Sequence, residues 1–251
     1  MMHPIINKVI QAPEINESFT RSMDCSLENM SQPKLISFVN PYSYMILKDN
    51  FACYEQVDVF YSDAIVSSLT FSLIANKRVP RVSFDYGSFG KTFLETLNQS
   101  RAAVYFIGAK PNEIAKTMAL FQQEYPNLNV VGYRDGYFSD DAETLNAIKT
   151  IIETGAEYVV CGMGTPYQEH FGAQLKAHSF GGIKEIYTCG GFLHQSSEGV
   201  QYYPDLINQL HLRWLYRIFN DKYVIKRLLN QYPRFLFSLA YDSIVSVFKR
   251  K

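Results

Sequence analysis

The sequence predicts an α/β protein with a Rossmann-like, mostly parallel sheet flanked by helices. Short β-branched and apolar runs recur along the chain, and stretches with helical spacing of apolar residues lie between many of them. Such alternation is typical of parallel strands joined by helical crossovers. A chain of 251 residues is also long enough for one large domain with a substantial core.

Seven runs have the composition of strands: 34–39, 57–62, 81–84, 102–108, 127–133, 157–164 and 183–191. Two of the stretches between them have apolar residues at helical spacing, Pro111 to Tyr125 and Asp140 to Thr154. The second begins with Asp140-x-x-Glu143, which resembles a capping box.

The pattern divides the chain into three segments. Residues 1–30 are broken by prolines and acids and predict an irregular arm, residues 31–212 form the α/β domain, and residues 213–251 form an appendage. This last segment has nine basic residues, two acidic residues and nine aromatic residues, so its net charge is +7 and that of the rest is −7. A basic, aromatic segment suits an anionic partner, such as a membrane surface or a nucleic acid. The alternative is that its aromatic rings pack on the body.

Several classes of protein are disfavoured. The four cysteines form no CxxC pair, which favours a reduced cytosolic protein without a disulfide or a zinc site. We find no signal peptide and no apolar run long enough to span a bilayer. The segment DYGSFGKT lacks the first glycine of a phosphate-binding loop, because Asp85 stands in its place.

Candidate functional residues follow the predicted strands, where ligands bind in parallel sheets. Asp63 directly follows the predicted strand at 57–62. Its carboxylate is either a general base or the N-cap of the next helix. Asp135 begins an Asp-Gly sequence that predicts a turn, and the alternative is that its side chain contacts a ligand. His194 follows the last strand and is for that reason a better candidate than His170, although the alternative for both is a polar residue of a loop or helix.

The segment YVVCGMGTPYQEH places Gly164 after a strand and Gln168 and Glu169 in the first turn of a helix. Unpaired N–H groups at a helix N-terminus favour an anion such as phosphate. The segment FIGAKPNE, which contains Gly108, has the same arrangement. The alternative is that both segments are ordinary loops between strands and helices.

Six motifs, taken in order, resemble the WecG/TagA/CpsF family of bacterial glycosyltransferases from about Ile36 to Phe237. They are Asn40-Pro41, Asp63 with Arg81 and then Asp85 after it, FIGAKPNEIAK, YPNLNVVGYRDGYF, GMGTPYQEH and LRWLYRIFNDKYVIKR.

The resemblance implies transfer of an N-acetylhexosamine, typically N-acetylmannosamine, from a UDP-sugar to a polyprenyl-diphosphate-linked sugar. The reaction would be inverting, would need no metal or other cofactor, and would serve capsule, exopolysaccharide or cell-wall polymer synthesis. It implies a cytoplasmic protein held peripherally at the inner face of the cell membrane, with no nucleic-acid partner. Homo-oligomers are common in the family.

The resemblance also assigns roles to residues. Asp63 would be the catalytic base, while Asn40, Arg81, Gln168 and Glu169 would belong to the donor or acceptor pocket. Arg217 and Arg227 would fold over the site and neutralise the leaving diphosphate, a role that suits arginine. The remaining substrate-binding candidates are Asp85, Gly108, Asp135, Gly164 and His194.

The chain departs from the family pattern at several positions, which are Phe38, Ala64, Arg213, Val224 and the segment FLHQSSEGVQYYP. These departures suggest a divergent branch that makes capsule or exopolysaccharide. Two other interpretations remain: a non-catalytic scaffold of the same fold that binds a sugar nucleotide, and a nucleic-acid-binding protein that uses the basic segment.

Overall fold

The computed structural model describes residues 3–26, 32–199 and 230–241 of the chain. Its centre is a sheet of six strands in the order β2-β1-β6-β5-β3-β4, and every pair is parallel. The strands are β1 Lys34–Val39, β2 Val59–Ser62, β3 Val104–Gly108, β4 Val130–Arg134, β5 Tyr158–Gly162 and β6 Glu185–Thr188. The predicted α/β fold with a parallel sheet is therefore confirmed.

Helices cover both faces of this sheet. They are α1 Pro4–Gln11, α2 Ile15–Asp24, α3 Pro41–Lys48, α4 Phe51–Glu55, α5 Ile65–Ala75, α6 Phe89–Ser100, α7 Pro111–Glu124, α8 Asp141–Glu153, α9 Tyr167–His178, α10 Phe192–Ser196 and α11, residues 230–241. The two helices predicted at 111–125 and 140–154 are confirmed as α7 and α8. The Asp140 carboxylate accepts a hydrogen bond of 2.8 Å from the Glu143 N–H, as an N-cap does.

Side chains alternate along each strand and so supply two cores, one on each face. Leu35 and Val39 of β1 pack in a core with α1, α3, α4, α5, α8, α9 and α11. Ile36 and Phe38 point to the other face, where the core includes α2, α6, α7 and α10. This division assigns each helix to one of two layers.

The predicted strand at 81–84 is wrong. Arg81 makes only an isolated parallel bridge to Ser62, and the Val82 N–H donates to the Ser62 carbonyl over 2.8 Å. After that bridge, the Asp85 carboxylate accepts from the Ser83 hydroxyl and the Gly87 N–H, both at 2.8 Å. Local side-chain hydrogen bonds of this kind compete with a ladder and end it.

The prediction of an irregular arm over residues 1–30 also differs from the structure, which has α1 and α2 there. Pro4 occupies the first turn of α1, where proline is tolerated, and Pro13 falls between the two helices. Both helices are docked, with Ile5 and Phe19 almost fully buried. The predicted boundaries at 30/31 and 212/213 lie outside the described residues.

Among the helices that the structure describes, none is long and apolar enough to cross a membrane. Cys161 and Cys189 are buried as small residues of the core.

Candidate active site at the carboxyl edge of the sheet

Asn40 and Asp63 are brought together by the pairing of β1 with β2. Val39 lies opposite Ser62 in the register, so the two residues that follow emerge side by side at the carboxyl edge. The Asn40 side chain caps α3, its Oδ1 accepting from the Tyr42 and Ser43 N–H groups at 3.0 Å each. Because its oxygen is used there, the Asn40 amide nitrogen faces Asp63, 3.5 Å from Oδ2.

The alternative role of Asp63 as a helix cap is wrong. Helix α5 begins at Ile65, and its N-cap is Ala64, which supplies no side-chain hydrogen bond. The backbone of Asp63 instead continues the β2 pairing, with its N–H donating to the Val39 carbonyl over 2.8 Å. The Asp63 carboxylate therefore lies at the sheet edge beside Asn40.

Arg81 joins this pair through its isolated bridge to Ser62. Its Nε donates to the Asp63 carbonyl over 2.9 Å, and its Nη2 donates to the Ser83 hydroxyl over 3.0 Å. The same Nη2 lies 3.5 Å from Oδ2 of Asp85, and a quarter of the Arg81 side chain is exposed. The structure thus brings together four predicted site residues, which are Asn40, Asp63, Arg81 and Asp85. We call these four the edge cluster.

Gln168 and Glu169 lie in the first turn of α9 as predicted, but their side chains are buried rather than displayed. Gln168 Nε2 donates to Oε1 of Glu169 over 3.0 Å, and its Oε1 accepts from the Gly190 N–H at 3.0 Å. Gln168 therefore ties α9 to the turn that follows β6.

Glu169 is the centre of a buried polar network that the motif analysis missed. Its Oε1 accepts from the hydroxyls of Ser37 at 2.9 Å and Thr165 at 3.2 Å, and Ser37 in turn accepts from Thr188 at 2.9 Å. Oε2 of Glu169 is buried without a hydrogen-bond partner among the described residues. Burial raises the pKa of the Glu169 carboxyl, against the hydrogen bonds from Gln168 and Ser37, which lower it. The network joins β1, β6 and α9 directly beneath the carboxyl edge.

Three further candidates have structural explanations. Gly108 has a φ of +144°, and a Cβ there would lie 2.3 Å from the Gly162 carbonyl oxygen, so only glycine lets β3 and β5 end so close together. Gly164 has a φ of +74°, which glycine adopts without strain. Asp135 forms the predicted turn, because its Oδ1 accepts from the Tyr137 N–H at 2.9 Å. Ligand contact by these residues stays a prediction.

His194 contacts a different element from the edge cluster. It lies on α10, and its Nδ1 is 3.1 Å from Oε2 of Glu113 at the start of α7. The pKa of Glu113 is lowered. Burial raises it, but hydrogen bonds from the Lys110 backbone and from His194 outweigh that effect. His194 thus belongs to a pairing of α7 with α10.

The two proposed arginine clamps, Arg217 and Arg227, lie outside the described residues. Within the described part of the chain, no group of three or more His, Cys, Asp or Glu side chains is arranged to hold a metal ion.

Comparison with known proteins gives matches over nearly the whole chain. Residues 5–246 match the family described as "Glycosyl transferase WecG/TagA/CpsF family". One relative, the UDP-Gal:alpha-D-GlcNAc-diphosphoundecaprenol beta-1,4-galactosyltransferase of Shigella boydii, is 31% identical over 98% of this chain and 99% of its own length. Two N-acetylglucosaminyldiphosphoundecaprenol N-acetyl-beta-D-mannosaminyltransferases also match. The protein of Bacillus subtilis is 29% identical over 87% of this chain and 85% of its own, and that of Bacillus spizizenii is 26% identical over 71% and 67%.

Proposed function

Because the chain belongs to the WecG/TagA/CpsF family of glycosyltransferases, we propose that it transfers a hexosyl group from a UDP-sugar to N-acetylglucosaminyl-diphosphoundecaprenol. All three relatives described above are named for this acceptor. Their names differ in the sugar transferred, which is galactose in one and N-acetylmannosamine in the other two. The acceptor is therefore the better supported half of the proposal.

For the donor, we propose UDP-galactose. The relative that matches 98% of this chain is named a galactosyltransferase, while the N-acetylmannosaminyltransferases match smaller shares of it. The family resemblance predicts N-acetylmannosamine, which stays the alternative. The choice between the two sugars depends on pocket contacts, so both donors belong in the first assay.

Asp63 is the proposed general base, and its setting in the edge cluster is the observation that supports this role. Its carboxylate lies at the carboxyl edge, Asn40 donates to Oδ2, and Arg81 fixes the backbone carbonyl of the same residue. The carboxylate would take the proton of the acceptor hydroxyl while that oxygen attacks the anomeric carbon of the donor. The bond to the UDP phosphate breaks on the opposite side, so the anomeric configuration inverts and UDP leaves with the bonding electrons.

Gln168 and Glu169 have a positioning role in this proposal. Most of their side-chain polar atoms are hydrogen-bonded to Ser37, Thr165 and Gly190. These bonds would hold together the buried layer beneath the site, which we call its floor. Through Gly190, Gln168 would fix the turn after β6 against the turn before α9. The substrates would then be bound by groups above this floor, including the edge cluster.

The test is transfer measured with UDP-galactose and with UDP-N-acetylmannosamine, on wild type and on Asp63→Asn. An amide cannot accept the proton, so we expect kcat to fall by about 100-fold to 10,000-fold while UDP binding is kept. Asp49→Asn is the matched control, because Asp49 is an exposed residue at the far end of α3.

Two results would contradict the proposal in different ways. Full activity of Asp63→Asn would show that another group accepts the proton. Absence of transfer from both donors to the N-acetylglucosaminyl acceptor, in a wild-type protein that binds UDP, would exclude the proposed substrates.

A further inference from the structure

Helices α3 and α5 begin at the edge cluster, so their positions set the distance between two of its side chains. Asn40 is the N-cap of α3: its side chain accepts from the α3 backbone, and its own N–H donates to the Ser43 hydroxyl over 2.9 Å. Asp63 directly precedes Ala64, the N-cap of α5. The 3.5 Å between the Asn40 amide nitrogen and Oδ2 of Asp63 is at the upper limit for a hydrogen bond. A small relative shift of the two helices would therefore break it.

Three aromatic rings meet where α3, α5 and α11 pack together. The ring centroids of Tyr44, one turn into α3, and Phe71 of α5 lie 6.0 Å apart. Phe235 of α11 lies 5.2 Å from Tyr44 and 5.9 Å from Phe71. All three rings are fully buried, so Phe235 contacts both helices from within the core. We call Tyr44, Phe71 and Phe235 the ring junction.

A polar contact at the edge of the ring junction fixes α11 along α3. Lys48, in the last turn of α3, donates from Nζ to the Ser238 hydroxyl over 2.7 Å. Lys48 lies one turn after Tyr44 on α3, and Ser238 lies one turn after Phe235 on α11. The two helices are thus held together at two levels, which defines the position of α11 against α3.

Close packing makes the volume of the Phe235 ring decide how α3 and α5 are spaced. Protein cores have few voids, and the elements around a deleted ring move partly into the space that it leaves. The Asp63 carbonyl is held by Arg81, whereas Asn40 is held to α3 by its capping bonds. A shift of α3 would therefore change the distance between the Asn40 amide and the Asp63 carboxylate.

We infer that Phe235 is a positioning residue for the proposed transfer: its ring sets the spacing of α3 and α5 at which the Asn40 amide orients the Asp63 carboxylate. The inference rests on the proposed function, in which that carboxylate accepts the proton of the acceptor hydroxyl. Phe235 acts through α3 and α5 and does not touch substrate. A residue distant in sequence from both β1 and β2 thereby takes part in the geometry of the edge cluster.

Kinetics of Phe235→Ala in the full-length chain test this inference. We expect kcat to fall about tenfold to 100-fold because the base is misplaced, while KM for donor and acceptor stays within about twofold. Phe235→Leu leaves a smaller cavity, so its kcat should lie between those of Phe235→Ala and wild type. The matched control is Phe19→Ala, which removes a buried ring from the core on the other face of the sheet. It should keep the kcat of wild type at a temperature where both alanine variants are folded.

A double-mutant cycle with Asn40→Ser separates positioning from a general loss of stability. Serine still caps α3 but has no amide to reach Asp63. If Phe235 acts through that amide, Phe235→Ala should lower kcat by about twofold or less in the Asn40→Ser background, because the contact is already lost. Equal fold-changes in both backgrounds would contradict the inference. So would an unchanged kcat in Phe235→Ala, or an equal loss of kcat in Phe19→Ala.

A readout that needs no transfer separates this inference from the proposed function. The side-chain amide signal of Asn40 in heteronuclear NMR spectra should shift in Phe235→Ala and stay in place in Phe19→Ala. If wild type transfers neither galactose nor N-acetylmannosamine while this signal behaves as expected, the proposed function fails and the link from Phe235 to the edge cluster stands. If wild type is active and the signal does not respond to Phe235→Ala, the inference fails and the proposed function stands.

Discussion

Ser37 explains how a carboxyl group can be buried beneath the carboxyl edge. It is a polar residue in the apolar strand β1, and its hydroxyl donates to Glu169 while accepting from Thr188. Burial of a polar group is costly unless hydrogen bonds compensate, and a neutral carboxyl costs less than a carboxylate. The raised pKa of Glu169 agrees with this placement. The serine within an apolar run was the signal that motif analysis could have used.

Glu169→Gln and Glu169→Ala should differ in stability and in activity, because the glutamine amide resembles the neutral carboxyl group and alanine does not. Gln keeps an oxygen for the hydroxyls of Ser37 and Thr165 and for Gln168, so we expect a folded, active enzyme. Ala leaves these donors unpaired, at a cost of about 1–3 kcal/mol for each buried group. Denaturant unfolding and transfer assays would measure both effects, and equal stability of the two variants would contradict the network.

The pH dependence of the glutamine variant follows from the same pKa shift. The pKa of Glu169 is raised in the folded chain, while in the unfolded chain it is about 4.3. As pH rises above that lower value, the unfolded state loses the proton before the folded state does. The free energy of unfolding of wild type therefore falls. This loss ends once pH exceeds the folded pKa. Glu169→Gln has no titrating carboxyl at this position. Its free energy of unfolding relative to that of wild type should therefore rise with pH between the unfolded and the folded pKa of Glu169. Burial also raises the pKa of Glu185, but this residue is the same in wild type and in Glu169→Gln and so does not affect the difference between them.

At the scale of elements, α1 and α2 show why local composition misled the sequence analysis. Prolines and acids suggested an irregular arm, but Pro4 suits the first turn of α1 and Glu14 caps α2 by accepting from the Glu17 N–H at 2.8 Å. The spacing of Ile15 and Phe19, one helical turn apart, was the signal for a docked helix. What the sequence could not supply was the partner surface, which is formed by α6, β5 and β6.

Phe19→Ala should therefore destabilise the whole domain. The ring is 1% exposed and lies 5.1 Å from Phe93 and 5.5 Å from Tyr158, so its removal leaves a cavity in the core. We expect a cost of about 3–5 kcal/mol in the free energy of unfolding, measured with denaturant. Phe180→Ala is the matched control, because that ring is 76% exposed and should change stability by about 0.5 kcal/mol or less. Equal costs would mean that α2 is not docked.

For the whole molecule, the sequence predicted the parallel sheet and several of the side chains that lie together at its carboxyl edge. Asp63 was singled out because it follows a predicted strand, and Asn40 and Arg81 because they match motifs of the family. The structure brings the three together because β1 and β2 are parallel and end at one edge, with Arg81 bridged to Ser62. Gln168 and Glu169 were found by motif, but their burial depends on Ser37 and Thr188, which are far away in sequence. Such long-range packing is set by the tertiary fold and leaves little trace in local spacing.

Arg217 and Arg227 give the prediction that depends on the complete chain. We expect UDP binding measured by calorimetry to persist in chelator and to weaken about tenfold or more in Arg217→Ala plus Arg227→Ala, because two charge-assisted contacts to diphosphate are lost. Lys116→Ala plus Lys149→Ala removes the same charge from exposed helical positions and serves as the control. Binding that requires added metal, or that is unchanged in the arginine variant, would contradict the metal-free clamp.

The strand order has a consequence for how the protein is made. All four residues of the edge cluster lie between Asn40 and Asp85, yet β1, from which the cluster is built, pairs on its second side with β6, where Leu35 lies opposite Ile186. During synthesis from the N-terminus, β1 can pair with β2 early but has one edge without its native partner until β6 has emerged. Contacts so distant in sequence slow folding, and an unpaired edge strand invites aggregation. The edge cluster is thus translated before β6 but rests on a strand that gains its second partner only after β6 has been made.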